Sequence, residues 1–285
     1  MDDNPNAFVN QDSKLFISTG LIKYCESYEA LVGVLAHEVG HLAKYHILKK
    51  KDSLKKLKNI NNIGNLAVIA GSLVANNSEY LMQSLITNQL GIQNYYQSFN
   101  RDQEREADYY AVDTLNKLNL SLDPLIKFLN LLEKKSIQSG IEDEYHKFSS
   151  HPIYKERYNI IDNLKSTNEF NIADNEMNQK FNYIRAKLFG YTENDKKNLK
   201  KYLDTNYALY AESIILSKKG KLKESMHLLN KLISNKKNYF FLLETKADIL
   251  YSHGFFSQAL LFYMKTDSVY SKNYFVKKRI FDINF

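Results

Sequence analysis

The sequence predicts a mainly α-helical protein with one small β-sheet, and three observations support that fold class. Two short segments within Asn6–Ser18 have the composition of strands around a polar turn. The apolar run Glu29–Ala36, which leads into His37-Glu38-Val39-Gly40-His41, is typical of a buried helix. The last third of the chain repeats with a period of 34 residues. At 285 residues and 44% hydrophobic content, the chain is long enough for two domains with separate cores.

The pattern His37-Glu38-Val39-Gly40-His41 predicts a catalytic zinc site. On a helix, two histidines four residues apart lie on one face, so both rings can reach one metal ion. Zinc lowers the pKa of a bound water toward ~7, and Glu38 can take its proton during attack on a peptide carbonyl. The alternative is a chance match on a surface helix. The preceding apolar run disfavours it, because buried histidines without partners leave polar nitrogens unsatisfied.

A catalytic zinc usually takes three protein ligands, so a third ligand must lie elsewhere in the chain. A metzincin is excluded, because Lys44 and Ile47 occupy the positions where that class has glycine and histidine. A gluzincin takes a glutamate from a later helix, and Glu104 is the candidate, with Asp108 one turn further on to support a zinc-bound histidine. Glu106 is expected to point elsewhere. Spacing alone leaves open a charged, solvated helix with internal Arg–Glu pairs.

Five ordered motifs give the chain a family resemblance. They are Asn6-Ala7-Phe8, Ser18-Thr19-Gly20-Leu21, His37 to His41 followed by His46, Glu104 to Asp108, and His151-Pro152 with Arg157. The chain resembles the zinc metallopeptidases that include the CAAX prenyl protease, the heat-shock protease HtpX, mitochondrial Oma and the periplasmic β-barrel assembly-enhancing protease. The motifs span most of the first 160 residues. The resemblance implies one Zn²⁺ per chain held by His37, His41 and Glu104, with Glu38 as the base and Asp108 supporting the site.

His151 and Arg157 are the further candidates for the catalytic machinery. The proline after His151 favours an extended backbone there, and in close relatives the histidine of this motif can occupy the open zinc position. We therefore hypothesise that His151 is a removable fourth ligand that keeps the enzyme latent; alternatively, it packs near the cleft or caps a turn. Arg157 could stabilise a tetrahedral oxyanion, or form a structural ion pair with Asp108 or Glu106.

The formal net charge of +7 does not predict nucleic-acid binding, because the lysines are spread along the chain outside any recognised binding motif. A single cysteine excludes a disulfide framework within the chain. Lysines between Lys49 and Lys58 precede an apolar segment, Ile63–Ala75, that is too short to span a bilayer. This region could contact an anionic membrane surface peripherally; the alternative is a solvated helix that covers a core hairpin.

The 34-residue period predicts helix-turn-helix repeats of tetratricopeptide type over 176–285. Small residues recur where helices cross, glycine recurs at the turn, and large apolar residues lie between them. The matched positions are Ser213 and Ala247, Leu216 and Leu250, Gly220 and Gly254, Leu222 and Phe256, Ser225 and Ala259, and Met226 and Leu260. A repeat cannot bury its own apolar face, so we expect stacked neighbours in an α-solenoid that binds protein. The alternative is a plain helical bundle.

A gluzincin-type zinc protease domain over 1–168, followed by these repeats, resembles the architecture of the β-barrel assembly-enhancing protease group. The resemblance implies a periplasmic endopeptidase that degrades misfolded or stalled outer-membrane proteins and contacts their assembly machinery through the repeats. The alternative is a chaperone or adaptor for outer-membrane protein assembly with a largely latent zinc site. The N-terminal residues lack an export pattern, so we expect that the chain is N-terminally truncated relative to its precursor.

Overall fold

The computed structural model describes residues 5–10, 12–46, 101–138, 155–164, 175–235 and 239–285. Within them the protein is mainly helical with one two-stranded sheet, which confirms the predicted fold class at that level. The chain divides into two compact units. The first unit comprises Asn4–Leu21 and Tyr28–Ala173, and the second includes Ile22–Ser27 and Asp174–Phe285, with the gaps just given.

The first unit begins with the predicted pair of strands. Strand β1 (Ala7–Val9) pairs with β2 (Leu15–Ile17) in antiparallel register, with Phe8 opposite Phe16. The Asn10 side chain stabilises the turn, because its Oδ1 accepts hydrogen bonds from the backbone N–H groups of residues 12 and 14. Helix α1 (Thr19–Tyr24) follows directly.

Among the described residues, four helices build the rest of the first unit. They are α2 (Tyr28–Ala43), α3 (the helical residues 101–117), α4 (Asp123–Gln138) and α5 (Lys155–Asn163). Helix α2 packs against β1 and α4. A core of buried aliphatic side chains joins α3, α4 and α5; it comprises Val112, Leu115, Leu122, Leu125, Leu129 and Ile161. This core holds α3 and α5 in place, and both helices contribute side chains to the site described below.

The second unit consists of seven helices among the described residues. They are α6 (Asn175–Thr192), α7 (Leu199–Tyr202), α8 (Thr205–Lys218), α9 (Leu222–Asn235), α10 (Phe240–Ser252), α11 (Phe256–Val269) and α12 (Tyr274–Asn284). Consecutive helices pack closely in the pairs α8–α9 and α10–α11. The segment Ile22–Ser27 also belongs to this unit, where the Lys23 carbonyl accepts hydrogen bonds from Arg185.

The turns within the two helix pairs have the same backbone structure, 34 positions apart. Gly220 and Gly254 have φ angles of +75° and +82°, and nothing lies within 4 Å of the position a Cβ would take at either glycine. The next residue at each turn donates its N–H to the carbonyl five residues earlier, at 2.9 Å in both cases. Each pair therefore ends its first helix with a left-handed glycine cap. Assignment to the tetratricopeptide class remains a prediction.

Small residues lie at the helix crossings of both pairs. Ser213 and Ser225 are fully buried, and the Ser225 hydroxyl donates to the Ser213 carbonyl at 2.7 Å. Ala247 and Ala259 are buried to the same extent at the matching positions. The backbones of each pair approach closely because none of these side chains extends far beyond its Cβ.

Some sequence-based predictions fall on residues outside the described ranges. These are His151 and the lysine-rich and apolar segments between Lys49 and Ala75. Among the helices that the structure describes, none combines the length and hydropathy that a bilayer span needs.

Candidate metal centre

Helix α2 provides three polar side chains in a buried position. His37 and His41 are 6% and 9% exposed, and Glu38 is 3% exposed. The spacing of four residues brings the two imidazoles together, so that their ring centroids are 4.8 Å apart. Burial of three ionisable groups on one helix is costly unless they have partners.

The third member of the cluster is Glu104, on α3. Its carboxylate oxygens lie 3.3 Å from His37 Nε2 and 3.4 Å from His41 Nε2, and the two Nε2 atoms are 3.1 Å apart. A tetrahedral ion with ligand bonds of about 2.0–2.1 Å separates its ligand atoms by about 3.3–3.4 Å. The three side chains therefore fit a metal ion, and His37, His41 and Glu104 form the metal-compatible group found among the described residues.

Gly40 allows α3 to approach α2 this closely. A Cβ at Gly40 would lie 3.0 Å from the Tyr110 Cβ and 3.1 Å from the Ala107 Cα. Ala107 is itself fully buried and lies one turn of α3 beyond Glu104. A glycine on one helix and an alanine on the other thus bring the Glu104 carboxylate within reach of the histidines.

Asp108 and Arg157 support His37 from behind. Asp108 Oδ1 lies 2.9 Å from His37 Nδ1, and Arg157 donates to both Asp108 oxygens at 2.7 Å. Arg157 is 4% exposed and its Nη1 also lies 3.5 Å from Glu104. The sequence analysis left two interpretations of Arg157, an oxyanion contact or a structural ion pair, and these contacts are those of the ion pair with Asp108. In a neutral His37, a proton on Nδ1 that is donated to Asp108 leaves Nε2 free to bind a metal ion.

The charges around His37 alter the pKa values in this part of the site. Burial and the Arg157 charge both lower the pKa of His37, but hydrogen bonds to Asp108 and Glu104 outweigh them and raise it to about 9. For Asp108, burial raises the pKa, but the Arg157 charge and the bonds from His37 and Arg157 bring it below its ordinary value. Asp108 is therefore held as an anion that accepts hydrogen bonds from both neighbours.

His46 contacts His41, and Glu106 contacts His46, in an arrangement that the sequence analysis did not predict. His46 Nδ1 lies 2.9 Å from His41 Nδ1, and His46 Nε2 lies 3.0 Å from a Glu106 oxygen. Glu106 was expected to point elsewhere; it is not part of the metal-compatible cluster, but it contacts that cluster through His46. The only signal in the sequence was that His46 and Glu106 occur in the same motifs as the candidate ligands.

Comparison with known proteins identifies the family of this chain. The family model described as Peptidase family M48 matches residues 1–165, which is more than half of the chain. The chain belongs to peptidase family M48. The resemblance stated from the motifs is thereby confirmed. M48 peptidases are metal-dependent, and the cluster of His37, His41 and Glu104 could hold the metal ion.

Curated relatives of this M48 chain include two named beta-barrel assembly-enhancing protease. The Yersinia pestis protein is 21% identical over 87% of the chain and 52% of its own length. The Escherichia coli (strain K12) protein is 22% identical over 70% of the chain and 39% of its own length. Mitochondrial metalloendopeptidase OMA1 of Schizosaccharomyces pombe is 28% identical over 56% of the chain and 44% of its own length. The chain thus spans about half, or less, of the length of these relatives.

Proposed function

We propose that this M48 chain is a zinc-dependent endopeptidase of the bacterial envelope that degrades misfolded or stalled outer-membrane proteins. The observation that carries the proposal is the buried cluster of His37, His41 and Glu104 with Glu38 adjacent on the same helix. Two imidazoles and one carboxylate are a ligand set typical of catalytic zinc, which keeps one coordination position open. A structural site with four permanent ligands would not need Glu38.

In the proposed mechanism, His37, His41 and Glu104 hold the ion, and zinc supplies Lewis acidity toward water and the substrate carbonyl when bound. Glu38 accepts the proton of the attacking water and returns a proton to the leaving amine. Asp108 orients His37. Arg157 donates to both Asp108 oxygens at 2.7 Å, and its charge keeps that carboxylate ionised. We therefore assign Arg157 a positioning role, since its guanidinium is already engaged by a buried carboxylate.

For substrate binding we propose the exposed face of the β1–β2 hairpin. Phe8 and Phe16 stack at 5.0 Å between ring centroids while remaining 43% and 44% exposed. Strand β1 packs on α2, the helix that carries the histidines. An unfolded polypeptide can add to a sheet edge through main-chain hydrogen bonds, and exposed aromatic rings bind its apolar side chains.

The second unit is proposed to bind protein as a tetratricopeptide-like solenoid. The support is the 34-residue recurrence of the turns at Gly220 and Gly254 and of the small crossing residues. The names of the Yersinia pestis and Escherichia coli relatives suggest the partner, namely the machinery that assembles outer-membrane β-barrels. A periplasmic location, with peripheral contact to a membrane, is part of the same proposal. So is the role of His151 as a removable fourth ligand.

The test is cleavage of an unfolded outer-membrane β-barrel protein by wild type, Glu38→Gln and His151→Ala at equal zinc content. We expect slow cleavage by wild type, faster cleavage by His151→Ala and none by Glu38→Gln, because the last variant lacks the general base but keeps all ligands. The two functions separate in a parallel assay of β-barrel aggregation. If Glu38→Gln suppresses aggregation as well as wild type and no variant cleaves, the chaperone or adaptor function replaces the protease.

A further inference from the structure

We propose that His46 and Glu106 form a hydrogen-bonded relay that positions His41 and sets which of its nitrogens faces the metal. The inference rests on the proposed metal site and adds a residue pair that holds its second histidine. His46 is thus a positioning residue, acting on the ion only through His41.

His46 is buried and lies within hydrogen-bonding distance of both His41 and Glu106. His46 is 2% exposed, and its two ring nitrogens contact different partners: Nδ1 lies 2.9 Å from His41 Nδ1, and Nε2 lies 3.0 Å from the Glu106 carboxylate. The His41 and His46 rings meet edge to face, with centroids 5.0 Å apart. Two nitrogens at 2.9 Å must share one proton, since two bare nitrogens or two N–H groups would repel each other.

The carboxylate decides where the protons lie. Glu106 can only accept, so a neutral His46 carries its single proton on Nε2 and presents a bare Nδ1 to His41. His41 must then donate from Nδ1, and its Nε2 is left bare, 3.4 Å from the Glu104 oxygen that belongs to the cluster. The opposite arrangement would place a proton on His41 Nε2 and prevent it from binding a metal ion. The relay thereby selects the tautomer of His41 that can act as a ligand.

The backbone reverses direction after α2, and this reversal brings His46 next to His41. Helix α2 ends at Ala43, and Tyr45 adopts a left-handed conformation with φ of 56° while its N–H donates to the Leu42 carbonyl at 3.0 Å. Left-handed backbone is unfavourable for a residue with a Cβ, so the surrounding contacts must hold Tyr45 in it. From α3, the Gln103 side chain donates to the His46 carbonyl at 3.2 Å and holds the reversed chain.

The two candidate metal-binding histidines therefore have different hydrogen-bond partners. His37 faces the buried carboxylate Asp108, which Arg157 neutralises, whereas His41 faces a neutral ring whose own partner, Glu106, has a side chain that is 48% exposed. Loss of a partner behind a metal-bound histidine typically lowers metal affinity ~10–100-fold. We expect that range for loss of the acceptor at His46, and a smaller effect from changes at Glu106, because water can replace an exposed carboxylate.

The test is the zinc dissociation constant of the full chain, measured by competition with a chromophoric chelator. His46→Leu removes the acceptor, and we expect affinity to fall ~10–100-fold. His46→Asn places a carbonyl oxygen where Nδ1 was, and we expect affinity within about threefold of wild type, since His41 can still donate. His227→Leu, on α9 of the second unit, is the matched control and should leave the affinity unchanged. Urea unfolding of the metal-free forms checks that each variant folds.

A second measurement reads the tautomers directly, through ¹⁵N chemical shifts and two-bond couplings of the histidine rings in the zinc-loaded chain. We expect the proton on Nδ1 of His41 and on Nε2 of His46. The relay is overturned if His46 carries its proton on Nδ1, or if His46→Asn and His46→Leu have the same affinity for zinc. Wild type that binds no zinc would instead refute the metal site itself. If His46→Leu does not fold, the tautomers in wild type and the affinity of His46→Asn decide.

Discussion

Replacement of Gly40 by alanine should weaken metal binding, although alanine is the better helix former by about 1 kcal/mol. The new Cβ would lie 3.1 Å from the Ala107 Cα and 3.2 Å from its carbonyl oxygen, so it meets backbone that cannot rotate away. Ordinary carbon contacts are about 3.5–4.0 Å, so α2 and α3 must separate by roughly half an ångström. Metal–ligand distances tolerate only about 0.2 Å.

The energetic consequence depends on the state of the site. Without metal, the helices can separate and relieve most of the overlap. With metal, Glu104 must return to within bonding reach of the ion that His37 and His41 hold, and the strain reappears. Overpacking of this kind costs about 1–3 kcal/mol, which corresponds to a loss of metal affinity of roughly 5- to 150-fold.

Gly33→Ala is the matched control on the same helix. A Cβ there would also meet atoms at 3.0 Å, but they are the terminal methyl groups of Leu125 on α4, which can shift by rotation. We expect zinc affinity like that of wild type and a stability change within about 1 kcal/mol. The assay is chelator competition for affinity and urea unfolding of the metal-free chain for stability. Equal zinc affinity in Gly40→Ala and wild type would refute the argument that this glycine sets the reach of Glu104.

Three further predictions follow from the same structure. Asp108→Asn removes the carboxylate that accepts both 2.7 Å bonds from the buried Arg157 and leaves Glu104 at 3.5 Å, so urea unfolding should show a loss of about 3–5 kcal/mol, whereas an unchanged midpoint would mean that the other contacts of Arg157 compensate. Zinc at 100 times its dissociation constant should add about 2.7 kcal/mol to the free energy of unfolding, measured by calorimetry, of both wild type and Glu38→Gln. The gain should be absent in Glu104→Gln and should disappear when a chelator is added. Gly220→Ala and Gly254→Ala should each cost about 1 kcal/mol by thermal unfolding, because positive φ is the only penalty where no atom is near; markedly unequal losses would argue against equivalent turns.

The features that could be predicted from the sequence are those that depend on the local periodicity of one segment. His37 and His41 share a face because any helix places residues four apart together, so the pair and its metal chemistry follow from the sequence of one segment. The strand pair and the 34-residue recurrence of the turns at Gly220 and Gly254 are local for the same reason. Family motifs then identified Glu104 and Asp108, although their spacing alone was equally compatible with a solvated helix.

Packing between distant segments explains what could not be predicted. Asp108 lies 71 residues from His37, and Glu106 lies 60 residues from His46. No helical period relates them, and their approach depends on Gly40 against Ala107 and on the reversal of the chain at Tyr45. The sequence by itself predicted a metal site and two of its candidate ligands. Only the tertiary structure decided which side chains Arg157 and His46 contact, because the partner of a buried polar group is whichever side chain the packed helices bring within hydrogen-bonding distance.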